Sequence, residues 1–315
     1  MKRSLGTLMW LASTVVFTFA LIGCGGGGGS SPTPPPASTG DTSLFPNAEL
    51  LMPVPDLLKQ SGVIILDARH TETVYNAGHI PGAVHAPPLL FSVSQANQIL
   101  RPVAELEQVL GSLGVTRTSP IVIYDDTTDS LGAGGRLFWL LEYLGCTNVS
   151  MLNGGWYQWQ VQRMPVELAA PAPTPVVFTA VVNNEIYVEK EYVASRLNAA
   201  GFALVDVRTD GEYQGLQPTS DPRPGHIPGA INFPYTECYN PDRTVLNFKD
   251  LKLLLESKGV TTANEVVVYS TVGKRSAFFY FLSRLMGYSN IANYDGSIVD
   301  WGASDPTLYP MVTGP

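Results

Sequence analysis

Cysteine and histidine are residue types in this sequence that could serve as nucleophiles, proton acceptors or metal ligands. The two sets are Cys24, Cys146 and Cys238, and His70, His79, His85 and His226. Three cysteines among 315 residues are too few for a disulfide framework. Neither set has the spacing of zinc ligands. We therefore expect no metal site and no cofactor.

Cys238 is the one cysteine with a candidate chemical role. It follows the strand-like run 230–233, which would bring it to the same sheet edge as the residues after Tyr269. We treat it as a candidate relocated reactive thiol. The alternative is an unreactive cysteine, because no positive neighbour would stabilise its thiolate. Cys146 closes a helical pattern among aromatic residues and is expected to be a buried small hydrophobe.

Short apolar runs alternate with helical patterns along both halves of the chain. The runs predict strands at 63–66, 121–124, 149–152, 203–207, 266–269 and 290–294. The helical patterns predict helices at 103–113, 136–144, 249–257 and 274–286. Continuous apolar strands separated by helices are typical of an α/β fold, a parallel sheet with helices on both faces. Ligands of such sheets bind beyond the carboxyl ends of the strands, which points to the residues after Tyr124 and Tyr269.

Charged residues end two of these strands. Asp67 and Arg69 follow the first, and Asp206 and Arg208 follow its counterpart in the second half. They are candidates to line a cleft at the sheet edge. The alternative is a structural ion pair that ties the strand end to a loop.

The chain repeats itself once. Gly-His-Ile-Pro-Gly-Ala at 78–83 recurs letter for letter at 225–230, and four other motifs recur in the same order at similar spacing. Such order predicts two homologous domains, at 46–168 and 184–312. The proline-rich stretch 169–183 between them is expected to be a semi-rigid connector. His79 and His226 lie inside the repeated motif and are expected to be hydrogen-bonded turn residues.

The N-terminus is predicted to be a targeting signal that is not part of the folded domains. Lys2 and Arg3 precede an uncharged apolar stretch, and 21–24, Leu-Ile-Gly-Cys, resembles the bacterial lipobox. That resemblance implies a signal peptide at 1–23, lipidation of Cys24 and a Gly/Ser/Pro tether at 24–45. A transmembrane anchor is the alternative. We expect a lipid-anchored protein of the cell envelope, in the outer membrane, with the lipid bilayer as one partner.

The charge balance narrows the choice of ligands. The net charge is −8, which argues against nucleic-acid binding because phosphate contacts need a basic surface. An anionic ligand must therefore be held by a local group of donors.

Taken together, the repeated motifs resemble the tandem-domain rhodanese family of thiosulfate and mercaptopyruvate sulfurtransferases, across residues 50–310. In that family a six-residue loop of the second domain begins with cysteine and ends with arginine. Its backbone N–H groups form an anion-binding nest at a helix start, which lowers the thiol pKa and stabilises a persulfide. The resemblance assigns this loop to Ser270, Thr271, Val272, Gly273, Lys274 and Arg275.

This chain departs from the family pattern at two places. Ser270 stands where the resemblance places the nucleophilic cysteine, and a hydroxyl cannot carry a stable persulfide. Glu212 stands where many active relatives carry an arginine that holds the sulfur donor, so the charge is reversed. In the first domain, Asp125 begins the corresponding loop, which agrees with a non-catalytic domain.

These features predict a rhodanese-like lipoprotein without persulfide-forming activity. Its partner would be a small oxyanion or sulfur compound such as thiosulfate, sulfite or a chalcogen oxyanion, held by Lys274, Arg275 and the nest, or else an envelope protein. One alternative is an active thiosulfate sulfurtransferase that works through Cys238 or another route. A second is a structural accessory of a membrane complex, with a cleft that binds nothing.

Overall fold

Each half of the chain forms its own parallel sheet of five strands in the computed structural model, which describes residues 42–94, 96–217 and 221–315. The first half contains β1 (Leu51–Met52), α1 (Val54–Leu57), β2 (Ile64–Asp67), α2 (Glu72–Asn76), β3 (Val84–His85), α3 (Val103–Ser112), β4 (Ile121–Tyr124), α4 (Ala133–Tyr143), β5 (Val149–Leu152) and α5 (Gly155–Val161). The second half contains β6 (Tyr187–Val188), α6 (Lys190–Arg196), β7 (Phe202–Asp206), α7 (Asp210–Gln214), β8 (Ile231–Asn232), α8 (Phe248–Ser257), β9 (Glu265–Tyr269), α9 (Lys274–Leu285), β10 (Ile291–Tyr294) and α10 (Ser297–Ala303).

The two sheets have the same topology. The strand orders are β1-β5-β4-β2-β3 and β6-β10-β9-β7-β8, so β4 and β9 are the central strands. All four residues of β4 are buried, as are the last four of β9, because helices cover both faces of each sheet. This confirms the predicted α/β fold and its division into two similar domains.

The predicted signal peptide, Cys24 and most of the tether lie outside the described residues. Among the residues that the structure does describe, no helix is long and apolar enough to span a membrane.

Helices α4 and α9 join the two domains. Both follow a central strand, and they approach closely at Gly135, where an added Cβ would lie 2.2 Å from the Cα of Phe278. Phe138 and Phe281 pack edge to face with ring centroids 5.0 Å apart. Near the helix starts, a Cβ at Gly132 would lie 2.8 Å from the carbonyl oxygen of Lys274. The loops after β4 and β9 are therefore neighbours at the domain interface.

The connector 169–183 contains no helix or strand, in keeping with its prolines. It packs on the first domain, since Phe178 is buried and the N–H groups of Val176 and Val181 donate to carbonyl oxygens of Gly111 and Leu144.

The structure places Asp206 and Arg208 in the interior, so they do not line a cleft. Both are fully buried, and the Arg208 Nη2 donates to Asp206 Oδ2 over 2.7 Å and to the carbonyl oxygen of Gly225 over 2.8 Å. Its Nη1 donates to Asp221 Oδ2 over 3.0 Å. The arginine thus ties the end of β7 to the repeated Gly-His-Ile-Pro-Gly-Ala turn, which is the alternative role considered for the pair.

The first domain repeats this arrangement. Arg69 donates to Asp67 over 2.6 Å and to the carbonyl oxygen of Gly78 over 2.7 Å. The histidines of the two turns also match: the Nδ1 of His79 lies 3.1 Å from the Tyr75 carbonyl oxygen, and that of His226 lies 2.8 Å from the Tyr213 carbonyl oxygen. These contacts agree with a turn role for both histidines.

Replacing Arg208 by methionine leaves the Asp206 carboxylate buried without its partner. We expect Arg208→Met to lower the free energy of unfolding by about 3–5 kcal/mol. Urea titration followed by circular dichroism measures this change. Lys59→Ala is the control, because the Lys59–Asp56 ion pair is exposed and contributes less than about 1 kcal/mol. Equal effects of the two substitutions would contradict a structural role for Arg208.

Candidate functional site

The 270–275 loop joins the central strand β9 to α9. Ser270, its first residue, is 1 % exposed. The hydroxyl oxygen of Ser297 accepts hydrogen bonds from the backbone N–H groups of Ser270 and Gly273, each over 3.0 Å. Gly273 has a φ of +72°, and an added Cβ there would lie 2.4 Å from Asp295 Oδ1, so the turn requires glycine. One side chain thus holds the loop in a tight curve at the helix start.

Five other backbone N–H groups of this turn have no protein acceptor among the described residues. They belong to Thr271, Val272, Lys274, Arg275 and Ser276. Donors at the start of a helix attract negative charge, both through hydrogen bonding and through the helix dipole. The loop can therefore supply several donors to a small anion.

The corresponding loop of the first domain shows how such donors are used. Asp125 is buried, and its carboxylate oxygens accept hydrogen bonds from Thr127 N over 2.7 Å and from Gly134 N over 2.8 Å. Burial raises the pKa of Asp125 to about 6. Gly134 is the second residue of α4, as Arg275 is the second residue of α9. The first domain therefore fills its helix start with its own carboxylate.

No base neighbours the Ser270 hydroxyl among the residues that the structure describes. Ser276 Oγ lies 3.4 Å from it, and a second hydroxyl cannot remove its proton. The histidine contacts lie elsewhere, with His85 bonded to the Arg69 carbonyl oxygen and His70 close to Lys274. The hydroxyl therefore stays neutral at physiological pH.

Arg275 is held by Glu212 rather than left open to a ligand. Its two terminal nitrogens each donate to a different Glu212 oxygen over 2.8 Å, and Nη2 also donates to Thr271 Oγ1 over 2.7 Å. Burial alone would raise the pKa of Glu212, but hydrogen bonds from Arg275 and Thr209 outweigh it and lower the pKa to about 2. Glu212 also completes the capping box of α7 with Thr209. Of the three cleft candidates, only Glu212 lies beside the loop.

Lys274 is the loop cation without a carboxylate partner among the described residues. Its Nζ lies 3.4 Å from Nε2 of His70, which follows β2 in the first domain. Burial and the neighbouring Arg275 lower the pKa of Lys274 to about 8, despite an opposing effect of Asp125. The loop is thus contacted by both domains.

A second contact from the first domain lies behind the loop. Arg136, in α4, is buried and forms an ion pair with Asp295. It also donates to the Gln98 carbonyl oxygen over 2.6 Å, and its Nη1 lies 3.4 Å from the Val272 carbonyl oxygen. Sequence reasoning missed Arg136 and Ser297. Ser297 lies within a repeated motif, which was a usable signal, whereas nothing in the pattern around Arg136 indicates a partner in the other domain.

The two described cysteines are unsuited to nucleophilic chemistry. Cys238 lies in a short 3-10 turn, Tyr235–Cys238, and has no exposed surface, which opposes the role of a relocated reactive thiol. Burial raises the pKa of the Cys238 thiol far above its ordinary value and raises that of Cys146 to about 12. Neither thiol is available as a thiolate. Within the described part of the chain, no group of His, Cys, Asp and Glu is arranged to hold a metal.

The chain is similar to proteins of known activity over most of its length. Residues 54–162 and 189–304 each match the rhodanese-like domain. A thiosulfate sulfurtransferase of Pseudomonas aeruginosa is 33 % identical over 264 residues, which cover 82 % of this chain and 96 % of that protein. The 3-mercaptopyruvate sulfurtransferase of Mus musculus is 30 % identical over 244 residues, covering 74 % and 80 % of the two chains.

A solved structure has the same fold. The anaerobic ergothioneine biosynthesis enzyme of Chlorobium limicola, in complex with trimethyl histidine, superposes with a TM-score of 0.77 at 25 % identity. The match covers 85 % of this chain and 71 % of that one. On the evidence of both matched domains and of these relatives, this chain belongs to the rhodanese family, whose curated members similar to it are thiosulfate and 3-mercaptopyruvate sulfurtransferases.

Proposed function

We propose that this protein is a rhodanese-like protein that binds a small oxyanion or sulfur species at the 270–275 loop and forms no persulfide. The observation that carries the proposal is the Ser270 hydroxyl at the head of the loop, which is buried and has no base beside it in the described ranges of the chain. Sulfur transfer through an enzyme persulfide needs a thiolate that attacks a sulfane sulfur and then releases it. The oxygen of a neutral hydroxyl does neither.

Anion binding is supported by a comparison within the molecule. The helix start of the first domain accepts a carboxylate, that of Asp125, at two backbone N–H groups. The helix start of the second domain has the same position in its sheet, five N–H groups without a protein acceptor, and a half-buried lysine. Thiosulfate and sulfite have the size and charge to accept several of these donors.

Two alternatives make different predictions. An active sulfurtransferase is favoured by the activity of the relatives, but the burial of Cys238 opposes a relocated thiol. A structural accessory of an envelope complex would bind neither thiosulfate nor sulfite. Isothermal titration with these anions separates the accessory from the proposed binding protein, and a cyanide-dependent thiocyanate assay separates both from the active enzyme.

Ser270→Cys should create thiocyanate-forming activity, because it places a thiol at a helix start whose donors stabilise a thiolate. We expect at least about 10³-fold more activity from Ser270→Cys than from the wild type, because removal of the nucleophile from an enzyme lowers its rate by at least that factor. The thiocyanate assay with thiosulfate and cyanide measures it.

Two variants control this experiment. Ser283→Cys places a thiol in the buried part of α9, about two helical turns beyond Ser276, and should stay inactive. Cys238→Ala should leave the wild-type signal unchanged. Wild-type activity that disappears in Cys238→Ala would contradict the proposal and favour the active enzyme.

Glu212→Gln should strengthen anion binding, because it removes the charge that pairs with Arg275. Glutamine still completes a capping box, so α7 keeps its start. A charge-assisted hydrogen bond contributes about 1.5–3 kcal/mol, which corresponds to a roughly 10- to 100-fold tighter dissociation constant for thiosulfate by titration calorimetry. Asp210→Asn removes a charge from the same helix without touching Arg275 and should change the constant little. If the wild type, Glu212→Gln and Asp210→Asn all bind thiosulfate with the same affinity, Arg275 does not reach the ligand.

We also propose that the protein is a lipoprotein of the cell envelope, on the evidence of the lipobox at 21–24. Radiolabelled palmitate should be incorporated into the wild type and into Cys146→Ala, but not into Cys24→Ser, which should also leave the membrane fraction. Several acyl chains at one cysteine hold a protein firmly, since each buried methylene contributes about 0.8 kcal/mol. Wild-type protein without label would contradict this localisation.

A further inference from the structure

Lys274 and His70 form a pair across the domain interface that anion binding alone does not explain. The Lys274 Nζ and the His70 Nε2 are 3.4 Å apart. A nucleophile is activated by an adjacent general base, and an imidazole beside an amine can act as that base. Separations somewhat longer than a hydrogen bond are usual before a substrate binds.

The charges around the pair favour the neutral amine. Partial burial lowers the pKa of Lys274 most, Arg275 and Arg136 lower it further, and Asp125 opposes them, so that the pKa is about 8. Partial burial and Lys274 also lower the pKa of His70, against the opposing effect of its Ser130 contact. The lowered pKa of His70 favours the neutral imidazole, which can accept a proton, and the lowered pKa of Lys274 raises the fraction of uncharged amine. His70 is exposed, so a small molecule can reach the pair.

We propose that Lys274 is a nucleophilic amine that forms an imine with a small 2-oxo acid, with His70 as its proton acceptor. The amine nitrogen bonds to the carbonyl carbon, and the carbonyl oxygen becomes a hydroxyl. Both amine hydrogens then leave with that oxygen as one water molecule, one of them passing through His70. The step needs no oxidant or reductant. The choice of an acid rests on the proposed function, since the loop N–H groups would hold its carboxylate.

Reductive trapping tests this proposal on the full chain. The protein is incubated with pyruvate and cyanoborohydride at pH 7.5, and the modified lysines are mapped by mass spectrometry. Lys59 and Lys252, which are 72 % and 54 % exposed at their side chains, serve as internal standards. Exposed lysines have a pKa of about 10.4, so Lys274 should be modified roughly 10-fold faster, allowing for its lower basicity.

The pH profile and two variants separate the role of Lys274 from that of His70. The trapping rate at Lys274 should level off above about pH 8. Lys274→Arg keeps the charge and should abolish trapping at this position, and His70→Asn should slow it about 10-fold or more. Lys274 modified no faster than Lys59 and Lys252 would overturn the proposal.

Acetone distinguishes this proposal from the anion site, because it is a methyl ketone that lacks the carboxylate. Pyruvate is the more reactive ketone at any lysine, so the pyruvate-to-acetone ratio of rates at Lys274 is compared with the ratio at Lys59 and Lys252. A larger ratio at Lys274 supports both proposals. An equal ratio, with both ketones trapped faster at Lys274 than at the standards, supports the nucleophilic amine and contradicts anion binding by the loop. Slow trapping of both, alongside measurable thiosulfate binding, overturns the amine and leaves the anion site standing.

Discussion

The hydroxyl of Ser297 holds the site together. It accepts the N–H groups of Ser270 and Gly273 and donates to the carbonyl oxygen of Tyr294 over 2.8 Å, so one side chain fixes both ends of the turn and the strand beside it. Those two donors are satisfied, whereas the other N–H groups of the turn have no acceptor in the part of the chain that the structure describes. The chemistry of the site then depends on the side chain that begins the loop.

The two domains have the same strand, loop and helix at the site but differ in the first residue of the loop. At the end of β4, Asp125 turns its carboxylate onto the helix start and supplies the anion itself. At the end of β9, Ser270 supplies a neutral hydroxyl, and the charges nearby come from Lys274 and from the paired Arg275. In the first domain the donors of the helix start are occupied by a carboxylate of the chain itself, whereas in the second domain they are the site of the proposed anion binding. The close packing of α4 on α9 brings the two loops together, so the first domain contributes His70 and Arg136 to the second.

Sequence reasoning could predict most of the fold and part of the site. The long strands and helices were predicted within a few residues because their apolar runs are buried. The strands β1, β3 and β6 were missed because they are two-residue edge strands, too short to show a period. The loop was found through its resemblance to a family. The pairing of Glu212 with Arg275 and the contact of Lys274 with His70 depend on how separate segments meet in space. A sequence does not carry that information without the fold.

The central claim concerns one atom, the oxygen at the head of the loop. Intact-protein mass spectrometry after incubation with thiosulfate tests it most directly, with Ser270→Cys as the comparison. The account predicts that the wild type keeps its mass and that Ser270→Cys gains one sulfur atom, which cyanide removes. A wild-type protein that gains a cyanide-labile sulfur would contradict the account.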